Sequence, residues 1–128
     1  MKRLLFLGND GNLIKEILKL KDTRVIGMVA DKVSEEQIKY FGSSYLIANK
    51  LNLPVIAQSG FNENYREYLA RAFSYPDIVF IQGYRYRIKE DLLEDRRMRI
   101  INFHQSLLPA YAGRHPLNWA IIRGEKYT

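Results

Sequence analysis

Short apolar runs alternate along this chain with segments in which apolar residues recur at helical spacing. Five runs, nearly continuous in apolar residues, are typical of buried strands: residues 4–7, 24–30, 54–57, 77–83 and 99–104. Strands that alternate with helices predict a parallel sheet, and strands without a polar side predict helices on both of its faces. We therefore predict a single α/β domain with a Rossmann-like, doubly wound, mostly parallel sheet.

The predicted helices carry recognisable start signals and apolar stripes. Ser34 with Gln37 three residues later forms a capping-box pattern, and Asn62 stands where it can cap a later helix. The last helix is predicted to begin near Pro116, because proline suits the first helical turn. Its inward-facing residues are predicted to be Leu117, Trp119, Ala120 and Ile121.

Composition narrows the class of protein without naming a function. A chain of 128 residues with 47% apolar and 27% charged residues suits one ordinary globular domain. The absence of cysteine excludes disulfides, thiolate metal sites and cysteine nucleophiles, and no metal site is predicted. The formal net charge of +6 favours an anionic partner. No apolar run approaches the ~18 residues of a membrane span, so we expect a cytoplasmic protein without membrane contact.

Ligands of such sheets bind at the carboxyl ends of the strands, which points to residues 8–12, 83–88 and 102–106. Asn102 and His104 are alternate residues at the end of the fifth predicted strand, so their side chains are expected to project to one side. A carboxamide beside an imidazole suits carbonyl chemistry, because one stabilises a developing oxyanion while the other moves a proton. The alternative, in which Asn102 caps a turn and His104 is a buried structural histidine, stays open on spacing alone.

The glycine- and asparagine-rich turn at residues 8–12 opens the first predicted helix, whose free amides could hold a phosphate or a carboxylate. Gly11 and Asn12 are the substrate-binding candidates there, and the alternative is a tight turn with Asn12 as the helix cap. Leu13 stands where a dinucleotide-binding fingerprint has glycine, although Asp31, about 20 residues later, would suit a ribose contact. A non-catalytic nucleotide-binding module is therefore the alternative function from another class.

A longer pattern around Asn102 and His104 favours a catalytic role for them over the structural alternative. The chain reads Asn102-x-His104-x-Ser106-Leu107-Leu108-Pro109-x-Tyr111-x-Gly113, followed by Pro116-x-x-Trp119-Ala120-Ile121 and Gly124-Glu125. This pattern closely resembles the folate-dependent formyltransferase family, which includes glycinamide ribonucleotide transformylase, methionyl-tRNA formyltransferase and the sugar N-formyltransferases. The specific part covers residues 100–128, and the strand and helix order of residues 1–99 agrees with the family's amino-terminal domain.

The resemblance implies an enzyme that transfers a formyl group from its co-substrate, 10-formyltetrahydrofolate, to a substrate amine. Asn102 matches the family's asparagine, which positions the formyl oxygen, and His104 matches its histidine, which assists proton movement. The family holds the folate pterin largely through backbone groups of one loop, which is formed here by Tyr84, Arg85, Tyr86, Arg87 and Ile88.

Substrate contacts are implied at two further places. In the purine branch of the family, a turn like that of residues 8–12 holds substrate phosphate, which agrees with Gly11 and Asn12 as candidates. The loop with Arg114 and His115 lies near the amine substrate in the family, and an arginine there suits an anionic group. We therefore expect the substrate to be a small anionic amine.

The identity of the acceptor is a separate question. The segment Gly113-Arg114-x-Pro116-Leu117-Asn118-Trp119 looks most like the sugar-nucleotide branch, so the acceptor is predicted to be an amino sugar linked to a nucleotide. Glycinamide ribonucleotide and methionyl-tRNA are the alternatives. A general RNA-binding surface is disfavoured, since positive and negative residues alternate over residues 85–99.

The family's third catalytic residue, an aspartate, has no counterpart here, because the family places it shortly beyond the position of Thr128. We therefore expect the domain of residues 1–128 to be incomplete at its carboxyl end, to lack its last strands and to show little activity alone. An open sheet edge is prone to pairing, so we expect a second copy or another chain to cover it.

Overall fold

The structure, a computed structural model, describes all 128 residues and is built on one parallel sheet. Its strands are β1 (Lys2–Leu7), β2 (Thr23–Val29), β3 (Val55–Ile56), β4 (Ile78–Ile81) and β5 (Arg99–Asn102). The helices are α1 (Gly11–Ile17), α2 (Glu35–Phe41), α3 (Ser44–Lys50), α4 (Gln58–Arg71), α5 (Glu90–Leu93) and α6 (Pro116–Ile122). The longest of them, α4, has 14 residues, and no helix is long and apolar enough to cross a membrane.

The strand order is β3-β2-β1-β4-β5, and every neighbouring pair is parallel. The chain therefore builds outward from β1 to β3, returns to the centre and builds outward again on the other side through β4 and β5. The order reverses between β1 and β4, and in open parallel sheets a crevice for ligands forms at that point. The predicted Rossmann-like, doubly wound fold is confirmed.

The two faces of the sheet bury separate apolar clusters, because alternate side chains of each strand point in opposite directions. On β1, Leu4 and Phe6 pack with residues of α1 and α3, including Ile14, Ile17 and Ala48. On the opposite face, Leu5 and Leu7 pack with residues of α4 and α5, including Phe61, Tyr65, Leu69 and Leu92. The central strand is therefore buried from both sides, which explains its continuous apolar run.

The helix starts agree with the sequence at one position and differ at another. Ser34 and Gln37 form the predicted capping box, in which each side chain bonds the other's backbone N–H. The prediction that Asn62 caps a helix is wrong, since α4 begins at Gln58, four residues earlier, and the kink within it lies at Asn64 (φ −128°, ψ 31°). The physical reason is a long-range contact: the backbone N–H of Gln58 donates to Oδ1 of Asp31 at 3.0 Å, so a carboxylate that follows β2 satisfies the start of α4.

The last helix packs less than its apolar stripe predicts. Ala120 is buried, but Trp119 is 50% exposed and Ile121 is 78% exposed, so the prediction that these two face inward is wrong, and Leu117 is also exposed. The reason lies in the sheet, because β5 is its edge strand and no further element covers that side. Ile101 on β5 is exposed for the same reason.

The burial pattern predicts how two matched substitutions differ. Ile14→Ala in α1 should lower the free energy of unfolding by about 2–5 kcal/mol, because it removes buried methyl groups and leaves a cavity. Ile121→Ala is the same change on an exposed face of α6, and it should alter that free energy by less than about 0.5 kcal/mol. Urea denaturation measures both variants, and equal losses would contradict the packing described for α6.

Candidate active site

The loops that follow β1 and β4 meet at the point where the strand order reverses. Gly8 adopts φ +144°, and a Cβ atom built on it would lie 1.8 Å from the backbone oxygen of Gln82. No other residue fits this close approach, because any side chain would overlap the end of β4. The turn after β1 and the end of β4 are therefore in direct backbone contact.

A buried carboxamide fixes these two loops relative to each other. Gln58, which is 0% exposed, donates from Nε2 to Oδ1 of Asn9 at 3.0 Å and accepts at Oε1 the backbone N–H of Arg85 at 2.9 Å. Oδ1 of Asn9 also accepts the backbone N–H of Asp31 at 2.9 Å. The side chain of Gln58 thus joins the turn after β1 to the loop after β4, and Asn9 extends these bonds to Asp31 after β2.

The loop after β4, residues 83–88, keeps most of its backbone hydrogen-bonding groups free. Arg85 donates its N–H to Gln58, and no other backbone N–H of this loop donates a hydrogen bond. The ring of Tyr84 lies edge-on to Phe61 at 6.5 Å between centroids and 5.8 Å from the ring of Tyr86. Burial raises the pKa of the Tyr84 phenol to about 12, with a further contribution from Tyr86. The loop is thus anchored by aromatic packing while its backbone remains available to a ligand.

Asn102 and His104 lie at the same edge of the sheet as this loop. Asn102 is the last residue of β5 and pairs with Ile81, and its side chain is exposed. His104 is half-buried, and its Nε2 lies 2.8 Å from the backbone oxygen of Tyr111. Because a carbonyl only accepts hydrogen bonds, Nε2 carries the hydrogen and Nδ1 of the neutral ring is the atom that can accept a proton. Tyr111 is held in turn by a hydrogen bond of 2.6 Å from its phenol to Oε1 of Glu125.

The substrate candidates at the first turn make structural contacts. The carboxylate of Asp10 caps α1, since its Oδ1 accepts the backbone N–H groups of Asn12 at 2.8 Å and Leu13 at 2.9 Å. The alternative that Asn12 is the cap is therefore wrong, and its Nδ2 donates instead to the backbone oxygen of Tyr40 at 3.1 Å. Gly11 is buried, and a Cβ atom on it would lie 2.2 Å from the backbone nitrogen of Ser43. Two of the amides at the start of α1, those of Asn12 and Leu13, thus already have a carboxylate partner.

The other two candidates lie between β5 and α6, and both are exposed. Nη2 of Arg114 is 3.4 Å from the backbone oxygen of Arg85, so this side chain reaches across to the loop after β4. His115 adopts a left-handed backbone conformation at the residue before α6 and makes no side-chain hydrogen bond to that helix. The structure thus brings Arg114 to the candidate folate loop, whereas no hydrogen bond links the side chain of His115 to that loop.

A cavity of about 170 Å³ opens beside the reversal point, and four of its nine lining residues lie in the segments 8–12, 83–88 and 102–106 that the sequence predicts for ligand binding. Its polar side chains are those of Asn9, Asp10, Gln37, Gln82 and Gln105, and two glycines, Val33 and Phe41 complete it. Neither Asn102 nor His104 lines this cavity, although Gln105 directly follows His104. The missed signal was a carboxamide directly after an apolar run, as at Gln82, because such a residue stands at the edge where ligands bind.

Comparison with known proteins gives a consistent result. A family model described as formyl transferase matches residues 2–128. The crystal structure of glycinamide ribonucleotide transformylase 1 from Geobacillus kaustophilus is 27% identical, with a TM-score of 0.67 over 97% of this chain and 69% of its own. The crystal structure of phosphoribosylglycinamide formyltransferase from Bacillus halodurans is 22% identical, with a TM-score of 0.72 over 95% of this chain and 66% of its own.

A third structure with the same fold has a different activity. The formyltetrahydrofolate deformylase from Pseudomonas syringae pv. tomato str. DC3000 is 15% identical, with a TM-score of 0.68 over 96% of this chain and 42% of its own. The chain thus spans about two thirds of the length of the first two proteins and less than half of the deformylase.

The role of Gln58 predicts a loss of stability when its carboxamide is removed. Gln58→Met keeps the length of the side chain but leaves groups on Asn9 and Arg85 without their partner, so the free energy of unfolding should fall by about 1–3 kcal/mol. Gln105→Met, at an exposed position, is the matched control and should change it by less than about 0.5 kcal/mol. Urea denaturation compares the two, and similar values would mean that the Gln58 bonds contribute no net stability.

The environment of Tyr84 predicts a dependence of stability on alkaline pH. Its pKa in the folded chain is about 12, above the ordinary value of 10.0, so the folded state holds the proton more tightly than the unfolded state. The resulting stabilisation is complete below about pH 10 and is lost as the pH rises through the folded pKa. The difference between absorbance titrations of the wild type and Tyr84→Phe isolates this phenol. A midpoint near the ordinary value would contradict the burial described here.

Proposed function

The chain belongs to the formyl transferase family, and on that basis we propose that it transfers a formyl group from 10-formyltetrahydrofolate to the amino group of a small anionic substrate. The observation that carries the proposal is the arrangement at the carboxyl edge of the sheet. There, a loop with free backbone groups stands beside Asn102, which ends the neighbouring strand, and His104. Family membership by itself supports 10-formyltetrahydrofolate as the donor. The identity of the amine acceptor goes beyond what family membership supports.

The proposed reaction is an acyl transfer that balances without another reactant. The amine nitrogen attacks the formyl carbon, which forms a C–N bond and moves an electron pair onto the formyl oxygen. Collapse of this tetrahedral intermediate breaks the bond between the formyl carbon and N10 of the folate. The proton lost by the amine ends on N10, so the products are a formamide and tetrahydrofolate.

Each of the two candidate catalytic residues has a group suited to one part of this reaction. The Asn102 carboxamide is exposed at the end of β5 and can donate a hydrogen bond to the oxygen that gains negative charge. His104 has its Nε2 hydrogen committed to Tyr111, so its Nδ1 can accept the proton that leaves the amine. The bond to Tyr111 also holds the ring in one tautomer, which favours this role.

The candidate folate loop fits the chemistry of a pterin, which presents amine and amide groups along one edge. Backbone N–H and C=O groups of residues 83–88 can pair with such an edge. Within this loop, only the N–H of Arg85, bonded to Gln58, and its C=O, 3.4 Å from Arg114, already have partners. Tyr84, Arg85, Tyr86, Arg87 and Ile88 would therefore bind folate mainly through their backbone. Family membership supports the same donor.

For the acceptor, we propose an amino sugar linked to a nucleotide. The segment of residues 113–119, which resembles the sugar-nucleotide branch, supports it, as does the exposed Arg114, which is available to an anionic group. Glycinamide ribonucleotide is the second candidate, because a transformylase named for it is 27% identical over 97% of this chain. At the first turn, however, the carboxylate of Asp10 already accepts from the amides of Asn12 and Leu13 and would repel a phosphate there, which favours the sugar nucleotide.

Binding of the donor is the first test. The stable analogue 5-formyltetrahydrofolate should raise the melting temperature in proportion to its concentration over its dissociation constant, whereas NAD should leave it unchanged. A shift with NAD and none with the folate would favour the non-catalytic nucleotide-binding module instead. Both measurements use the 128-residue chain and need no catalytic activity.

Catalysis is the second test, in a protein extended beyond Thr128 to include the carboxylate that the family's catalytic trio predicts. Asn102→Ala or His104→Ala should lower the rate of formyl transfer by about 100- to 1,000-fold, since each removes a group that acts in the transition state. Asn49→Ala, on the exposed face of α3, is the control for an asparagine away from the site. Unchanged transfer by both site variants would remove the catalytic assignment.

The acceptor is identified by competition in the same assay. A nucleoside-diphosphate amino sugar, glycinamide ribonucleotide and methionyl-tRNA are offered as alternative amines, and formamide production is measured for each. The sugar nucleotide is expected to give the highest ratio of kcat to KM. A higher ratio with either other amine would replace it as the acceptor.

A further inference from the structure

The carbonyl group that orients His104 belongs to a residue with a strained backbone. Nε2 of His104 lies 2.8 Å from the backbone oxygen of Tyr111, and Tyr111 has φ +55°, in the left-handed region. A residue with a side chain is rare in this region and stays there only where its surroundings hold it. The direction of the Tyr111 carbonyl therefore depends on the groups that fix this residue.

The chain supports Tyr111 at two places. Oγ of Ser106 donates to the backbone oxygen of Ala110 at 2.7 Å, which fixes the peptide group before Tyr111. The phenol of Tyr111 donates to Oε1 of Glu125 at 2.6 Å, across 14 residues of the chain. This distance is typical of a charge-assisted bond between a hydroxyl and a carboxylate. Ser106 therefore holds the backbone before Tyr111, and Glu125 holds its side chain.

The charges around Tyr111 keep its phenol protonated. The hydrogen bond to Glu125 is the largest influence and raises the pKa of the phenol above its ordinary value, and desolvation adds to this. Cζ of Arg123 lies 5.9 Å from the centre of the Tyr111 ring, and this cation lowers the same pKa by a smaller amount. Tyr111 is therefore a hydrogen-bond donor at neutral pH, as its bond to Glu125 requires.

Glu125 itself is held in place by the end of α6. Gly124 has φ +68°, and its backbone N–H donates to the oxygen of Ile121 at 3.0 Å. The backbone N–H of Glu125 donates to the oxygen of Ala120 at 2.9 Å. These two bonds form a Schellman motif, in which a left-handed residue, here glycine, ends the helix. Because Ala120 is the buried residue of α6, the backbone that carries the Glu125 carboxylate is fixed to the packed part of the helix.

We propose that Glu125 is a positioning residue for His104: its carboxylate holds Tyr111 so that the Tyr111 carbonyl accepts the hydrogen on Nε2 and leaves Nδ1 free to take a proton. The inference rests on the proposed function and adds to it a residue that acts without touching the substrate. A general base must keep its accepting atom directed at the amine, and a misplacement of about 1 Å lowers the rate of such a step by as much as about 100-fold. Glu125 therefore contributes to catalysis through the orientation of another side chain.

The first readout is the hydrogen on Nε2 of His104 in the 128-residue chain. Proton NMR of a chain labelled with ¹⁵N in its histidine rings detects this hydrogen when a hydrogen bond protects it from exchange with water. The chain has two histidines, and His115, whose side chain makes no hydrogen bond to α6, is the internal reference. At about pH 8, where an ordinary histidine is neutral, the hydrogen of His104 should exchange more slowly than that of His115.

Three variants separate positioning from folding. Glu125→Ala removes the acceptor of the phenol, and Tyr111→Phe removes the phenol but keeps the ring and the backbone carbonyl. Each should speed exchange of the His104 hydrogen by about tenfold, the change expected for the loss of one hydrogen bond. Glu125→Gln keeps an oxygen that accepts from the phenol and should retain slow exchange. Glu63→Ala, at an exposed position of α4, is the matched control and should leave exchange unchanged.

The second readout is the division of the effect between kcat and KM in the extended protein of the catalytic test. Glu125→Ala and Tyr111→Phe should each lower kcat by about tenfold and leave KM within about twofold, because neither residue binds a substrate. Glu125→Gln should keep kcat within about twofold of the wild type. Melting temperatures report any damage to the fold, and Tyr111→Phe keeps the comparison decisive if Glu125→Ala is unstable.

The outcomes distinguish this inference from the proposed function. Faster exchange and lower kcat in Glu125→Ala and Tyr111→Phe, both preserved in Glu125→Gln, support the positioning role. Unchanged exchange in the first two variants overturns it, and so does a lower melting temperature without any change in exchange or kcat. Absence of 5-formyltetrahydrofolate binding overturns the proposed function, and the exchange measurements then still decide whether Glu125 orients His104.

Discussion

The carboxamide of Gln58 is the interaction on which the geometry of the candidate site depends. It lies at the start of α4, yet its two bonds join a loop after β1 to a loop after β4, strands that are neighbours in the sheet but distant in sequence. A carboxamide suits this position because it has one donor end and one acceptor end, and the two loops present an acceptor on Asn9 and a donor on Arg85. A hydrophobic residue would fill the space but leave both loops unpaired.

This arrangement links the cavity beside the reversal point physically to the candidate folate loop. Asn9 belongs to the turn that lines the cavity, and Arg85 belongs to the candidate folate loop, so a shift of Gln58 would displace both at once. Hydrogen bonds in a buried network are stronger than in water, and an incomplete network is costly. The donor and the acceptor must approach within bonding distance for acyl transfer, and a shared rigid support for their loops favours that approach.

The sequence predicts the sheet well and the site only in part, for a physical reason. Strand positions depend on local apolar runs and the capping box of Ser34 on residues three apart, so both are visible in a linear pattern. The start of α4 depends instead on Asp31, which is 27 residues away, and no local signal contains that contact. Likewise, an apolar stripe such as that of α6 is buried only where another element packs against it. Because β5 is the edge strand, its outer side has no such element.

The positive net charge of the protein contrasts with the residues that line the cavity beside the reversal point. An excess of positive charge attracts an anionic molecule over distances comparable with the Debye length, but it does not distinguish one phosphate-bearing metabolite from another. Discrimination requires short-range groups, and Asp10 is the only ionisable residue among the nine that line the cavity beside the reversal point. The charge of the whole protein therefore attracts an anion over a long range, while the cavity itself presents no lysine, arginine or histidine to hold one.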